Sequence, residues 1–268
     1  MDNRHLLCEA ELRCYEQSGY IHSIPILDAQ EANYYRNCVG KACQAFGNNV
    51  TRFDGAHFFF EWAWALATHS RMLDSLERLL GPDILLKNTR FFCKWGNTTS
   101  FVGWHQDGFT DQQGDGLIPT VWLGLTPATI ENGCLRVIPS SHRLGLVPHP
   151  EQFDQNNLTK SGTTAQVDTG SWFDVVMNAG EMSIHHPLTL HSSGPNISAG
   201  PRIGFSASYA TPQLISSRSP VVWARGGHDL PDSNLTFSER PEPLPIAEAA
   251  ELFQRNLKPW VSITRSDF

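Results

Sequence analysis

Residues 202–209, Arg-Ile-Gly-Phe-Ser-Ala-Ser-Tyr, alternate between apolar side chains and small or polar ones. Side chains along an extended chain repeat every two residues, so Ile203, Phe205, Ala207 and Tyr209 share one face and Arg202, Gly204, Ser206 and Ser208 the other. Residues 182–191 carry the same pattern, with Met182, Ile184, Leu188 and Leu190 against Ser183, His185, Thr189 and His191. In 117–126, Val121, Leu123 and Leu125 oppose Thr120 and Trp122. Further strands are expected at 84–95, 134–139 and 172–177, each bounded by Gly, Pro or Asn. Short two-faced strands at this spacing make a sandwich or jelly roll rather than a parallel sheet. The apolar face must pack on something, and the polar face suits a cavity holding an ion and a polar cosubstrate.

What the apolar face packs on is written in the first third of the chain. Residues 6–17 read as an amphipathic helix that Ser18-Gly19 ends, and 20–26 as a short strand. Asp28 is the expected N-cap of a helix running to about Ala45, with Glu31 completing a capping box. Residues 56–69 are apolar nearly all round, as a buried helix or helical turn would be, and 70–80 form another helix stopped by Gly81-Pro82. A last helical pattern covers 246–257. The expected class is therefore mainly β with flanking helices: a helical N-terminal part (about 1–83), a core of strands (about 84–212) and a C-terminal extension (about 213–268). With 268 residues, 40% of them hydrophobic, a single domain can bury a sizeable core.

Charge and cysteine usage narrow the partners. A net charge of −7, with no basic cluster to offset it, argues against nucleic acid. The N-terminus has no signal-peptide pattern and no run long enough to span a bilayer, so a cytoplasmic protein is expected. The six cysteines match no zinc pattern or secreted framework and are read as free thiols. The oligomeric state is left open.

The chemistry concentrates in two segments. Trp104-His105-Gln106-Asp107-Gly108 places a histidine and a carboxylate two positions apart, on one side of an extended chain. Downstream, His191-Ser192-Ser193-Gly194-Pro195-Asn196 is followed by Arg202. Two imidazoles and one carboxylate on one face of an ion leave adjacent positions open, which suits iron(II) and oxygen activation, although zinc accepts the same ligands. Arg202 favours iron: if His191 ends one strand and Arg202 begins the next, a buried guanidinium lies beside the metal and needs an anion. The dicarboxylate 2-oxoglutarate fits that need.

Beyond these residues the chain resembles the phytanoyl-CoA dioxygenase family of iron(II)- and 2-oxoglutarate-dependent oxygenases. The resemblance rests on the segment at 104–108, on Glu131-Asn132-Gly133-Cys134-Leu135-Arg136-Val137-Ile138-Pro139-Ser140-Ser141-His142, on the block from His191 to Arg202, and on Arg225-Gly226-Gly227-His228-Asp229. It implies one oxygenase domain over 1–268, a double-stranded β-helix (a cupin-like jelly roll) with the N-terminal helices packed on its major sheet. It also implies iron ligands at His105, Asp107 and His191, a salt bridge from Arg202 to 2-oxoglutarate, and cosubstrate contacts from Trp122 and Ser193. Related halogenases lack the carboxylate, so Asp107 points to hydroxylation, desaturation or cyclisation, with 2-oxoglutarate and O2 converted to succinate and CO2. A nucleic-acid demethylase of the same class would carry a second arginine six positions after the first, where this chain has Ser208.

Other residues invite plainer readings. Of His185 and His186 at most one can face the cavity, in a supporting or packing role. His142 is expected to stabilise its own turn, and Gln106 to point away from the metal. The aromatic run from Phe58 to Trp64 is read as core. The polar stretches 110–116 and 141–171 are candidate lids that would choose a small-molecule substrate. Their polar composition, with no obvious basic clamp for CoA phosphates, leans towards a secondary metabolite. A cupin-like isomerase or a metal-binding module without oxygenase activity is the alternative.

Overall fold

The computed structural model describes residues 7–110, 118–151, 154–158, 164–166, 170–215, 220–227, 235–256 and 263–265. Helix α1 (Glu9–Ser18) ends where Gly19 adopts φ 81°, and strand β1 (Tyr20–Pro25) follows at once. Helix α2 (Ala29–Ala45) starts at Asp28, whose carboxylate accepts from the amides of Gln30 and Glu31 while Glu31 Oε2 accepts from the Asp28 amide. The capping box expected from the sequence is thus formed. Strand β2 (Val50–Asp54), a 3-10 turn (Ala56–Phe58), α3 (Glu61–Ala67) and α4 (Ser70–Leu80) complete this part. The first third is less purely helical than its periodicity suggests, because β1 and β2 both join a sheet built mainly from later residues.

Strands β3 (Ile84–Lys94) and β4 (Val102–His105) precede a single helical turn, α5 (Asp107–Thr110). Strands β5 (Thr120–Gly124), β6 (Leu135–Val137), β7 (Phe173–Val175), β8 (Glu181–His185), β9 (His191–Ser193) and β10 (Arg202–Ala210) follow. The described chain closes with β11 (Val222–Arg225), α6 (Ile246–Arg255) and β12 (Ile263–Arg265). The major sheet runs β1-β8-β5-β10-β3-β2-β12, with β11 also pairing β3, and the minor sheet runs β4-β9-β6-β7. Neighbouring strands of both sheets pair antiparallel, and the two sheets form a cupin-like jelly roll.

The outer face of the major sheet packs on the helices. Val121, Leu123, Ile203, Phe205 and Tyr209 share one buried cluster with Val39, Phe46, Leu66, Met72 and Phe253. Burying each such large side chain contributes roughly 1.5–3 kcal/mol, and the Tyr209 hydroxyl donates to the Ala67 carbonyl at 2.7 Å. Strand β10 therefore has the two faces its sequence predicts. None of the helices among the described residues is long and apolar enough to cross a membrane.

The expectation of one continuous strand over 182–191 does not hold. Strand β8 stops at His185, Pro187 lies in the turn, and His191 opens β9 in the other sheet. A proline in a central strand would forfeit a ladder hydrogen bond, so the chain leaves the major sheet there and enters the minor one. The candidate lid at 110–116 lies outside the described residues beyond Thr110, as do positions 152–153, 159–163 and 167–169 of the second. His228 and Asp229 also lie outside them.

Candidate active site

The minor sheet delivers the two histidines. His105 ends β4 and stands in register with His191 of β9, and their ring centroids are 4.1 Å apart. In each imidazole Nδ1–H donates to a backbone carbonyl two residues earlier, Gly103 for His105 and Thr189 for His191, both at 2.9 Å. That contact fixes the tautomer and leaves Nε2 as a lone-pair donor.

Asp107 does not sit on the strand. It begins α5, so the two-residue alternation that would align it with His105 is broken by a turn of helix. Gln106 makes the turn: its buried side chain donates to the Gly145 and Leu188 carbonyls and accepts from the Val147 amide. It points away from the cluster, as alternation alone predicts, and Asp107 returns to it by helical geometry. Asp107 Oδ1 lies 3.7 Å from Nε2 of both His105 and His191. One ligand atom from each of the three residues falls within 4.8 Å of the others. Burial alone would raise the Asp107 carboxyl, yet the imidazoles of His191, His185 and His105 hold it well below the usual carboxylate range. Burial pushes His105 and His191 down, keeping both neutral. Neutral imidazoles and an ionised carboxylate are the protonation states that bind a divalent ion.

Arg202 approaches from the facing sheet. The expectation that it lies beside His191 in adjoining strands is corrected: its strand neighbour is Lys94, and it meets His191 only across the cleft between the sheets. Its side chain is 2% exposed, its Nε has no hydrogen-bond partner among the described residues, and its guanidinium carbon lies 5.2 Å from the centre of the Trp122 ring. Burial pushes its pKa down to about 10. A guanidinium held this way, without an anion, is a site built for one. Trp122 lies flat enough over β10 that a Cβ on Gly204 would sit 2.3 Å from its Cζ2.

Lys94 and Arg90 carry no motif in the sequence, and His185 takes the supporting role expected of one of the pair His185 and His186. Lys94 is 1% exposed, and its ammonium donates to Ser193 Oγ at 2.6 Å, to the Ser193 carbonyl and to the Gly194 carbonyl. It anchors the start of the turn after β9 from across the cleft. His185 Nε2 lies 3.1 Å from Asp107 Oδ2. Arg90 lines the cleft together with Phe92, Val102, Thr120, Trp122 and Leu135. Only strand parity hinted at these: 90, 92, 94 and 185 fall on the faces that carry Arg202 and His191. His142 donates to the Glu16 carbonyl of α1 rather than within its own turn. The cleft encloses about 490 Å³ of empty space, including some open to solvent, within the range of small-ligand sites.

The profile of the phytanoyl-CoA dioxygenase family matches residues 15–204. Human peroxisomal phytanoyl-CoA dioxygenase is 29% identical over 240 residues, covering 79% of this chain and 70% of that one. A Stutzerimonas stutzeri protein described as a probable alpha-ketoglutarate-dependent hypophosphite dioxygenase is 28% identical over 179 residues. That match takes in 62% of this chain and only 60% of the relative's length. Among solved structures, the non-heme monooxygenase ThoJ in its apo form is similar with a TM-score of 0.72 at 28% identity, covering 87% of this chain and 88% of that one.

Proposed function

The chain belongs to the phytanoyl-CoA dioxygenase family of iron(II)- and 2-oxoglutarate-dependent oxygenases, and from that premise we propose that it oxidises a small organic molecule, most simply by hydroxylation. His105, Asp107 and His191 would hold iron(II), and Arg202, Trp122 and Ser193 would hold 2-oxoglutarate. Iron(II) held there would supply the oxidising power, with O2 and 2-oxoglutarate converted to succinate and CO2. The chain's own residues position and exclude. The Nδ1–H donors of His105 and His191 keep both Nε2 atoms aimed at one point, and His185 holds the second oxygen of Asp107.

The observation that carries this reading is Arg202: a buried guanidinium with no hydrogen-bonded anion among the described residues, lining the same cleft as three metal-type ligands. A cupin-like isomerase would use the ligands but has no call for that cation. The presence of Asp107 favours hydroxylation, desaturation or cyclisation over halogenation. The polar composition of the stretches 110–116 and 141–171, with no cluster of basic residues for CoA phosphates, favours a specialised metabolite as substrate. Six free cysteines, two of which, Cys43 and Cys93, share a hydrogen bond between sulfurs 3.9 Å apart, support a reducing compartment such as the cytoplasm.

The test is a titration of 2-oxoglutarate into the iron-loaded protein without oxygen, followed by succinate measurement on admitting oxygen. Binding and oxygen-dependent succinate in the wild type, both lost in Arg202→Ala, support the reading. An iron-loaded wild type that does not bind 2-oxoglutarate overturns it.

A further inference from the structure

Strand β3 turns Arg90, Phe92 and Lys94 to the same side as Arg202. Arg90 stands opposite Ser206 of β10 and Asp54 of β2, and both Arg90 and Ser206 line the cleft. Arg202 and Ser206 are four residues apart on one strand, so the backbone positions bearing the two arginines lie about 13 Å apart along the sheet. Two guanidiniums therefore enter one cleft at separate points.

Their charges are not matched in the same way. With iron(II) and 2-oxoglutarate in place, the two positive charges of the metal and the one on Arg202 are offset by Asp107 and the two carboxylates of the cosubstrate. Lys94 has all three ammonium hydrogens engaged by oxygens of Ser193 and Gly194. Among the described residues Arg90 has one anionic neighbour, Asp54, at 3.3 Å. That carboxylate is already gripped on both oxygens by Arg52, through Nε at 2.8 Å and a terminal nitrogen at 2.5 Å. Two guanidiniums thus share one carboxylate. The Nε of Arg90 is the atom 3.3 Å from Asp54 Oδ1; it is buried and makes an ion pair there but no hydrogen bond among the described residues, and its side chain is 33% exposed. Phe92, Val102 and Leu135 supply apolar wall beside it.

We propose that Arg90 is a specificity-determining residue that receives a carboxylate of the substrate, so that the cleft selects small acids with an apolar body. A guanidinium that shares its carboxylate with Arg52 and stands beside an apolar wall fits a monoanion, whereas the ammonium of Lys94 is already enclosed by oxygens; the fork of the guanidinium fits a carboxylate in particular. The proposal rests on the oxygenase reading and deepens it, since Arg202 must already be occupied by the cosubstrate for Arg90 to be the remaining cation.

The test uses matched pairs of probes: 4-phenylbutanoate against 4-phenylbutanamide and octanoate against octanamide. Each is titrated calorimetrically into the full chain loaded with manganese(II) and 2-oxoglutarate. The acids should bind the wild type about tenfold more tightly than the amides, the size of one charge-assisted hydrogen bond at a partly solvated site. Arg90→Gln should abolish the difference and Arg90→Lys should retain part of it. 2-Oxoglutarate should bind the wild type and Arg90→Gln alike, which also reports that the variant is folded. Equal binding of acid and amide, binding of neither, or a preference that survives Arg90→Gln would overturn the proposal. So would a loss of 2-oxoglutarate affinity in Arg90→Gln, which would assign Arg90 to the cosubstrate and leave the oxygenase reading standing. Failure of the wild type to bind 2-oxoglutarate would overturn both.

Discussion

Asp107 Oδ2 lies 3.1 Å from His185 Nε2, while Asp107 Oδ1 faces the Nε2 atoms of His105 and His191 at 3.7 Å each. The carboxylate is divided between two tasks, one oxygen turned to the ligand cluster and the other held from behind. His185 sits on β8 in the major sheet, so this hydrogen bond also ties the ligand turn to the opposite wall. His185→Phe should weaken iron(II) or manganese(II) binding by roughly 10- to 100-fold, the range seen when a supporting contact behind a ligand is removed. His185→Gln should recover most of that loss. Metal titration of the apoprotein checks both, and equal affinity in all three proteins would show that the contact does not position Asp107.

Arg202→Ala should raise the concentration of 2-oxoglutarate needed for half-saturation by about 100-fold or more, on the order of 3 kcal/mol for a buried charge-assisted pair. Metal affinity should stay near that of the wild type. Arg202→Lys should not restore binding fully, because a point charge cannot form two parallel hydrogen bonds or stack on Trp122 as the planar guanidinium does.

Gly204→Ala tests the Trp122 contact without touching either charged group. The new methyl would sit 2.3 Å from Trp122 Cζ2 and 2.6 Å from Cε2, so the indole must swing away. Overpacking of this kind costs about 1–3 kcal/mol of stability. The displaced ring should also loosen 2-oxoglutarate. Combining Gly204→Ala with Trp122→Phe should regain part of both losses, a coupling that thermal denaturation and cosubstrate titration would reveal as non-additivity.

A fourth prediction concerns acid sensitivity away from the site. His57 is fully buried, with Nδ1 2.8 Å from Thr89 Oγ1, and burial pushes its pKa from 6.5 down to about 3. The folded protein therefore binds fewer protons than the unfolded chain between those values. Stability contributed by neutral His57 is complete above pH 6.5 and is lost as the pH falls from there towards 3. At pH 5 the loss should be about 2 kcal/mol. His186, pushed down to about 4 by burial and by His142 and His185, acts in the same direction. His57→Phe should flatten the pH dependence of apoprotein denaturation between pH 7 and 5, and an unchanged slope would contradict the argument.

The legible parts of this molecule are those in which a local rule and the tertiary fold ask for the same residue. Asp28 and Glu31 cap α2 because the capping geometry is complete within four residues. Ile203, Phe205 and Tyr209 face the helices because strand parity needs no knowledge of the partner strands. Where the fold overrides the local pattern, the sequence misleads: Leu188 and Leu190 continue the parity of Met182 and Ile184 on paper, yet they follow a strand that has already ended before Pro187. Asp107 reaches the cluster by a helical turn, although an extended chain would have aligned it equally well on paper. Lys94 and Arg90 were silent because a cation in a strand looks like solvated surface until its register with Arg202 and Ser206 turns it inward. A supporting role for one of His185 and His186 was legible from alternation, but that His185 serves Asp107 shows only once the two sheets face each other.

The first strand has a consequence for how the protein is made. Tyr20 pairs with His185 and Ile24 with Met182, so β1 leaves the ribosome long before its hydrogen-bonding partner exists. Contacts so distant in sequence form late and slow a chain's folding. A translation product that stalls before position 182 would carry Ile21 and Ile24 with no sheet to receive them, and would be handled as a client by chaperones and proteases.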